Sequence, residues 1–262
     1  MTSFLVEVVR DAGKLTGKKP KVHTNKGGGD IATDIDVLVE RFIIKRLMRE
    51  YPDVPIVSEE LNPSDELPDT CFVIDPIDGT GNFYRGIPLW GIQVAYVEGG
   101  KTKSAVIYLP PFGEMFYANE KGAFLNGRKI RVSDTPLDKA IYDIEGHYKV
   151  KAYDRMLKCS RHMRNICCSA VLFAWVAKGR IDGVILRKDS IWDYLPGQFL
   201  VQQAGGQIRN ACGGHVAANS AELADVLMRD ACLTVDDQPS AAKVLAEALD
   251  QIPNECCENK LS

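Results

Sequence analysis

Hydrophobic positions along this chain form short apolar runs that end abruptly in acids or turn residues. Cys71 to Ile74 reads Cys-Phe-Val-Ile, the pattern of a short buried strand, and the Pro76 and Gly79 that follow are expected to stop it and turn the backbone. Val54 to Val57 predicts a second strand, which runs into Ser58-Glu59-Glu60. Residues 1 to 50 read as two helices joined by a loop from Lys18 to Gly29. The second is an amphipathic helix of about fifteen residues, with Val37, Phe42, Ile44 and Leu47 on one face and Thr33 or Asp34 as its cap. Trp90 to Val97, Lys103 to Tyr108 and Glu114 to Ala118 predict a strand meander, separated by Glu-Gly-Gly and Pro-Pro-Phe-Gly turns. From about Asp134 strands and helices alternate, including helices Ala170 to Ala177 and Leu195 to Ala204, and no repeat is evident.

Chemistry gathers where the apolar runs stop. The stretch Asp75-Pro-Ile-Asp-Gly-Thr-Gly-Asn-Phe83 puts two acids, a tight turn and a hydroxyl just past a predicted strand. Asp75 and Asp78 can then point into one space, with the Ile77 carbonyl as a third oxygen, a hard ligand set suited to magnesium or manganese. Thr80 to Arg85 can open a helix or tight turn whose free N–H groups bind phosphate. The competing reading is an Asp-rich surface turn, since Asp, Pro and Gly are common turn residues. Ile191-Trp192-Asp193 repeats the apolar-run-then-acid design, and Asp36 falls in the first turn of the predicted helix, where the dipole favours its charged form. One such acid is ordinarily a solvated carboxylate. Five placed this way, if gathered in one pocket, would repel one another unless divalent cations lay between them.

Composition narrows the class. With 262 residues, 45% apolar and 26% charged, the chain can bury a sizeable core as one large domain or two small ones. A net charge of −3, with mixed signs throughout, gives no basic field, so no nucleic-acid partner is expected. The first residues lack a leader pattern, and no segment reaches the length of about eighteen apolar residues that a membrane helix needs, so no membrane partner and a cytoplasmic location are expected. Cys71, Cys159, Cys167, Cys168, Cys212 and Cys232 lie in or beside apolar segments and read as reduced core thiols; Cys256 and Cys257 sit in a polar tail and receive no role.

These motifs resemble the inositol monophosphatase family, the magnesium-dependent, lithium-sensitive sugar phosphatases. The resemblance runs nearly end to end: Asp30 to Asp36, Ser58-Glu59-Glu60, Asp75 to Phe83, Gly122 to Gly127, Arg164 with its small-residue run, Ala177 to Asp182, and Trp192-Asp193 through Ala204-Gly205-Gly206. The two motifs around Asp75 and Asp193 stand in the family's order, about 115 residues apart. The resemblance implies a layered α/β/α/β/α sandwich, with an N-terminal α+β half (1–133) and a C-terminal α/β half (134–262) meeting at the active site as one compact unit.

Carried over by position, it implies metal ligands at Glu59, Asp75, the carbonyl of Ile77, Asp78 and Asp193, and a water-activating pair, Asp36 and Thr80. Asp34 is a rival for the Asp36 role, disfavoured by its distance from Glu59. Lys26 can approach the site or remain a solvated loop lysine. Two or three magnesium ions, about 3.5–4 Å apart, would clamp the phosphate and lower the pKa of a bound water, without a phosphoenzyme. The N–H groups of Gly79 and Thr80 would hold phosphate oxygens.

The substrate pocket departs from the family pattern. A glutamate of inositol-specific members is replaced by Leu186, followed by Arg187 and Lys188, and the small Gly-Ser/Thr-Ala run becomes Cys167-Cys168-Ser169. Arg187 can face a second phosphate or carboxylate, or form a solvated turn with Lys188. The expected activity is magnesium-dependent hydrolysis of a small sugar or polyol phosphate, with inositol monophosphate first and fructose bisphosphate second. Histidinol phosphate and nucleotide 3′-phosphates follow. A regulatory protein that keeps the fold is the non-enzymatic alternative. A homodimer is expected.

Overall fold

A computed structural model describes residues 1–27, 30–64, 66–145, 162–187, 190–211 and 213–232. Cys159, Lys188, Cys212, Cys256 and Cys257 lie outside them.

In chain order the elements are helix α1 (Thr2–Gly13), strands β1 (Val22–Gly27) and β2 (Asp30–Thr33), helix α2 (Asp34–Glu50), strands β3 (Ile56–Ser58) and β4 (Cys71–Asp78), and helix α3 (Thr80–Arg85). A meander follows: β5 (Gly91–Glu98), β6 (Lys101–Leu109), β7 (Glu114–Asn119), β8 (Gly122–Leu125) and β9 (Arg128–Lys129). The second half supplies β10 (Ile141–Ile144), β11 (His162–Arg164), helix α4 (Ser169–Lys178), β12 (Gly183–Arg187), helix α5 (Ile191–Gln203), β13 (Gln207–Ala211), β14 (Gly214–Ala218) and helix α6 (Ala221–Cys232).

Strands β3 to β9 form one sheet in sequence order, with β3 and β4 parallel and the rest antiparallel. The second sheet runs β11-β10-β12-β14-β13. Helices α1 and α2 cover one face of the first sheet, α4 and α5 lie between the sheets, and α6 covers the far face of the second. The result is the expected α/β/α/β/α layering.

Both faces of the first sheet are buried, which explains its nearly continuous apolar runs. In β4, Phe72 and Ile74 pack towards α1 and α2, whereas Cys71 and Val73 face Trp192 and the start of α5. Trp192 is buried in this part of the core. Among the described residues no helix is long and apolar enough to cross a membrane.

Three local expectations are corrected. The Lys18 to Gly29 segment is not only a loop, because it contains β1, which pairs antiparallel with the following β2 in a two-stranded ribbon. Strand β4 does not stop at Ile74 but continues through Asp78. The buried face of α2 is Ile35, Val39, Ile43 and Leu47, and it includes the acids Asp36 and Glu40.

Candidate metal and phosphate site

The first two acids owe their common direction to an irregularity in β4. Asp75 pairs with Gln93 and Asp78 with Gly91, so three steps on β4 oppose two on β5. In a regular strand, residues three apart face opposite sides. One extra residue, a β-bulge, puts Asp75 and Asp78 on the same side, and Pro76, which has no N–H to donate, fits a break in the ladder. Gly79 then turns the chain at φ +82° into α3. A Cβ there would sit 2.9 Å from the Leu89 carbonyl oxygen and 3.1 Å from Cys168 Cβ, so only glycine fits this turn.

Asp193 comes from the middle layer. It lies inside the first turn of α5, not ahead of the helix as expected, and its Oδ2 accepts the Ser190 N–H at 2.8 Å in a capping box. Asp75, Asp78 and Asp193 each bring a carboxylate oxygen into a group whose members lie within 4.8 Å of one another.

The carboxylates in this group are held differently. Asp78 Oδ2 accepts from Ser169 Oγ at 2.8 Å, Gln93 Nε2 at 3.2 Å and the Ala170 N–H. Ser169 Oγ also lies 2.6 Å from the Asp193 carbonyl oxygen, so α4 ties the two acids together. Asp75, 1% exposed, has no hydrogen-bond partner on either oxygen. Burial, reinforced by the charges of Glu59, Asp78, Asp193 and Asp36, pushes its pKa well above the carboxylate range. Burial raises Asp78 as well, opposed by its N–H and hydroxyl donors.

Helix α2 delivers the next group. Thr33 caps it reciprocally: its hydroxyl oxygen accepts from the Ile35 and Asp36 N–H groups, and its own N–H donates to Asp36 Oδ2 at 3.0 Å. The Thr33 hydroxyl also lies against Asp36 Oδ2. Asp36 Oδ1 is 3.0 Å from Thr80 Oγ1, which is 2.9 Å from the Ile77 carbonyl oxygen, so one proton has two acceptors. Burial raises the Asp36 pKa despite these donors.

Glu59 stands at the edge. Lys26, reaching from β1, meets Glu59 Oε1 and Glu60 Oε1, each at 2.6 Å. Burial pushes the Glu59 pKa up to about 7 against the pull of Lys26. Burial lowers Lys26, but the two glutamates outweigh it and the net shift is upward. Lys26 is therefore at the site, not a solvated loop lysine.

The remaining sequence candidates divide. Cys168 and Ser169 are buried beside Asp78, with Cys168 Sγ 3.5 Å from Asp78 Oδ2. Cys167 is exposed at φ +55°, so it is not a core thiol, and it occupies the backbone conformation that glycine accepts most readily. Leu186 is a correction. It is fully buried in the core with Val184 and the apolar residues of α4, so it presents no surface to a substrate. Arg187 ends β12, and its side chain lies outside the described residues.

The structure adds residues that sequence reasoning did not single out. Gln93 joins Ser169 in holding Asp78, and Asn82 Nδ2 donates to the carbonyls of Leu89 at 2.8 Å and Ile166 at 2.9 Å, tying α3 to the segment before α4. Glu40 accepts from Ser58 Oγ at 2.5 Å, the Glu60 N–H at 2.9 Å and the Leu61 N–H at 2.8 Å. Its spacing of four from Asp36 was a legible signal of a shared helix face.

Comparison with known proteins places this geometry. The model of the inositol monophosphatase family matches residues 1–254. The fructose-1,6-bisphosphatase/inositol-1-monophosphatase of Thermotoga maritima is 35% identical over 225 residues, 83% of this chain and 87% of that one. Nus factor SuhB of Escherichia coli K12 is 33% identical over 233 residues, covering 82% and 86%. A solved Thermotoga maritima IMPase superposes with a TM-score of 0.79 at 31% identity, covering 87% of this chain and 97% of that one.

Proposed function

The chain belongs to the inositol monophosphatase family, and from that premise we propose that it is a magnesium-dependent phosphomonoesterase acting on a small sugar or polyol phosphate. Inositol monophosphate is the first candidate substrate and fructose bisphosphate the second. The observation that carries the reading is Asp75, a fully enclosed carboxylate without a donor, beside Asp78 and Asp193. Buried ions without partners are strongly disfavoured, and an all-oxygen set of three acids matches a hard divalent cation. The proposed ligands are Asp75, Asp78 and Asp193 with the Ile77 carbonyl and Glu59. Magnesium bound there supplies charge compensation for the phosphate and lowers the pKa of bound water.

The chain's own residues do the rest. Thr80 donates to Asp36 and so keeps its oxygen lone pairs for a water O–H, which orients that water towards phosphorus. Asp36, held on its other oxygen by Thr33, is the terminal proton acceptor of this relay, and burial raises its basicity for that task. The amides of Gly79 and Thr80, at a helix start where N–H groups lack helical partners, are assigned to the phosphate oxygens.

A second reading, a non-enzymatic regulatory role, is favoured by the relative named Nus factor SuhB. With that relative present, the expected absence of a nucleic-acid partner is not carried forward. The two readings separate in one experiment, phosphate release with excess magnesium from inositol monophosphate, fructose bisphosphate, histidinol phosphate and phosphoadenosine phosphate. The phosphatase reading expects release from at least one ester and a loss of about 10³-fold or more in Asp78→Asn. A folded protein that binds no magnesium and releases no phosphate would leave the regulatory role standing.

A further inference from the structure

Glu40 is fully buried and carries an acidic side chain, yet it is not among the three acids grouped for a metal. Its two oxygens receive three donors from one short segment: Ser58 Oγ at 2.5 Å, the Leu61 N–H at 2.8 Å and the Glu60 N–H at 2.9 Å. Those donors bracket Glu59. Ser58 precedes it at the end of β3, and Glu60 and Leu61 follow it in the turn. The backbone carrying Glu59 is thus clamped on both sides by a single carboxylate.

The clamp belongs to the same helix as the proposed water-orienting acid. Asp36 and Glu40 are four residues apart on α2 and both lie on its buried face. One end of the face reaches Thr80, and the next turn reaches the Ser58–Leu61 segment. A rigid helix therefore fixes the separation between the Asp36–Thr80 pair and Glu59.

Turn closure alone does not call for a buried charge, because a neutral amide or a water can satisfy N–H groups at lower desolvation cost. Burial raises the Glu40 pKa, and the Ser58 hydroxyl and the Glu60 and Leu61 N–H groups act against that rise. What an ionised carboxylate provides beyond an amide is acceptor capacity on both oxygens, enough to hold all three donors at once.

We infer that Glu40 is a positioning residue for the metal site, acting through Glu59 by fixing the Ser58–Leu61 turn. The inference rests on the phosphatase reading and adds to it a residue that touches neither metal nor substrate. Ligands are oriented by such outer contacts, and their loss typically weakens metal affinity about 10–100-fold.

The test is a double-mutant cycle on magnesium affinity, measured by calorimetry on the full chain, with Glu40→Gln, Glu59→Gln and the double variant. Glu40→Gln is expected to bind magnesium about 10–100-fold more weakly, and the double variant to match Glu59→Gln within about twofold. If the two losses multiply, Glu40 does not act through Glu59 and the inference is overturned. Equal affinity of folded Glu40→Gln and wild type also overturns it, without touching the phosphatase reading. A wild-type chain that binds no magnesium overturns both. Should Glu40→Gln fail to fold, Ser58→Ala removes one donor and keeps the charge. Its affinity is expected to fall about 2–5-fold, and an unchanged value overturns the inference.

Discussion

A buried carboxylate outside the three grouped acids shows how burial sets titration. Asp143, in the middle of β10, is fully buried, and its pKa is pushed up to about 7 by burial, offset in part by the Ile166 and Ile144 N–H groups and the Arg164 guanidinium. The folded state therefore keeps a proton that the unfolded state has lost between about pH 4 and pH 7. A raised acid pKa makes stability greatest below the unfolded value and removes it as pH rises through the folded one. Asp143→Asn mimics the protonated form and lacks this titration. Its stability relative to wild type is expected to improve by about 2–4 kcal/mol between pH 4.5 and pH 7.5, read by urea unfolding at both values. A difference that stays constant with pH would refute the assignment. At this scale the sequence is a good guide to the grouped acids, because Asp75, Asp78 and Asp193 stand where apolar runs meet turns or a helix start. It is a poor guide to their holders. Gln93 and Ser169 are ordinary in their own surroundings and acquire their role as holders only from Asp78, 15 and 91 residues away.

Elements were legible where one face is apolar and illegible where none is. The ribbon β1–β2 reads Val-His-Thr-Asn-Lys-Gly on its first strand, and Val22, its large apolar residue, is 47% exposed, so no alternation marked it. The bulge in β4 was hidden because Pro76 and Gly79 are equally good signals for a strand end. The start of α2 was legible: Thr33 followed three residues later by Asp36 is a capping signature, and here it has a second duty. Removing it should therefore cost twice. Thr33→Ala is expected to lose about 0.5–2 kcal/mol of stability, as N-cap substitutions do. In the same protein Asp36 loses a donor and its fixed orientation, so turnover should fall about tenfold with a smaller change in KM. Thermal unfolding and phosphate release measure the two losses. A full stability loss with unchanged turnover would make Thr33 a cap and nothing more.

The whole molecule joins acids that lie far apart in sequence by packing two helices between two sheets. No periodicity in the chain specifies that Asp193 meets Asp75; the expectation came from resemblance, since the pairing depends on how α4 and α5 seat against both sheets. Gly197 is where that seating is tightest. A Cβ added there would overlap the Phe173 ring and come within 2.6 Å of the Phe173 Cβ, and Phe173 is fully buried in the central core. Phe173 has nowhere to swing, so α4 and α5 must move apart. Two effects oppose each other in Gly197→Ala: alanine favours a helix interior by about 1 kcal/mol, whereas overpacking typically costs about 1–3 kcal/mol and more when backbone must shift. The overlap with a trapped ring makes overpacking the larger, and a net destabilisation of about 1–2 kcal/mol or more is expected in urea unfolding. Asp193 lies one turn before Gly197 on the same helix, so the displacement reaches the acid group and magnesium affinity should fall with stability. Gly17→Ala, where an added Cβ meets nothing within 4 Å, is the control and should leave magnesium affinity unchanged. A Gly197→Ala protein as stable as wild type would show that the middle layer yields. If that protein also bound magnesium normally, the position of Asp193 would not depend on how α4 and α5 pack.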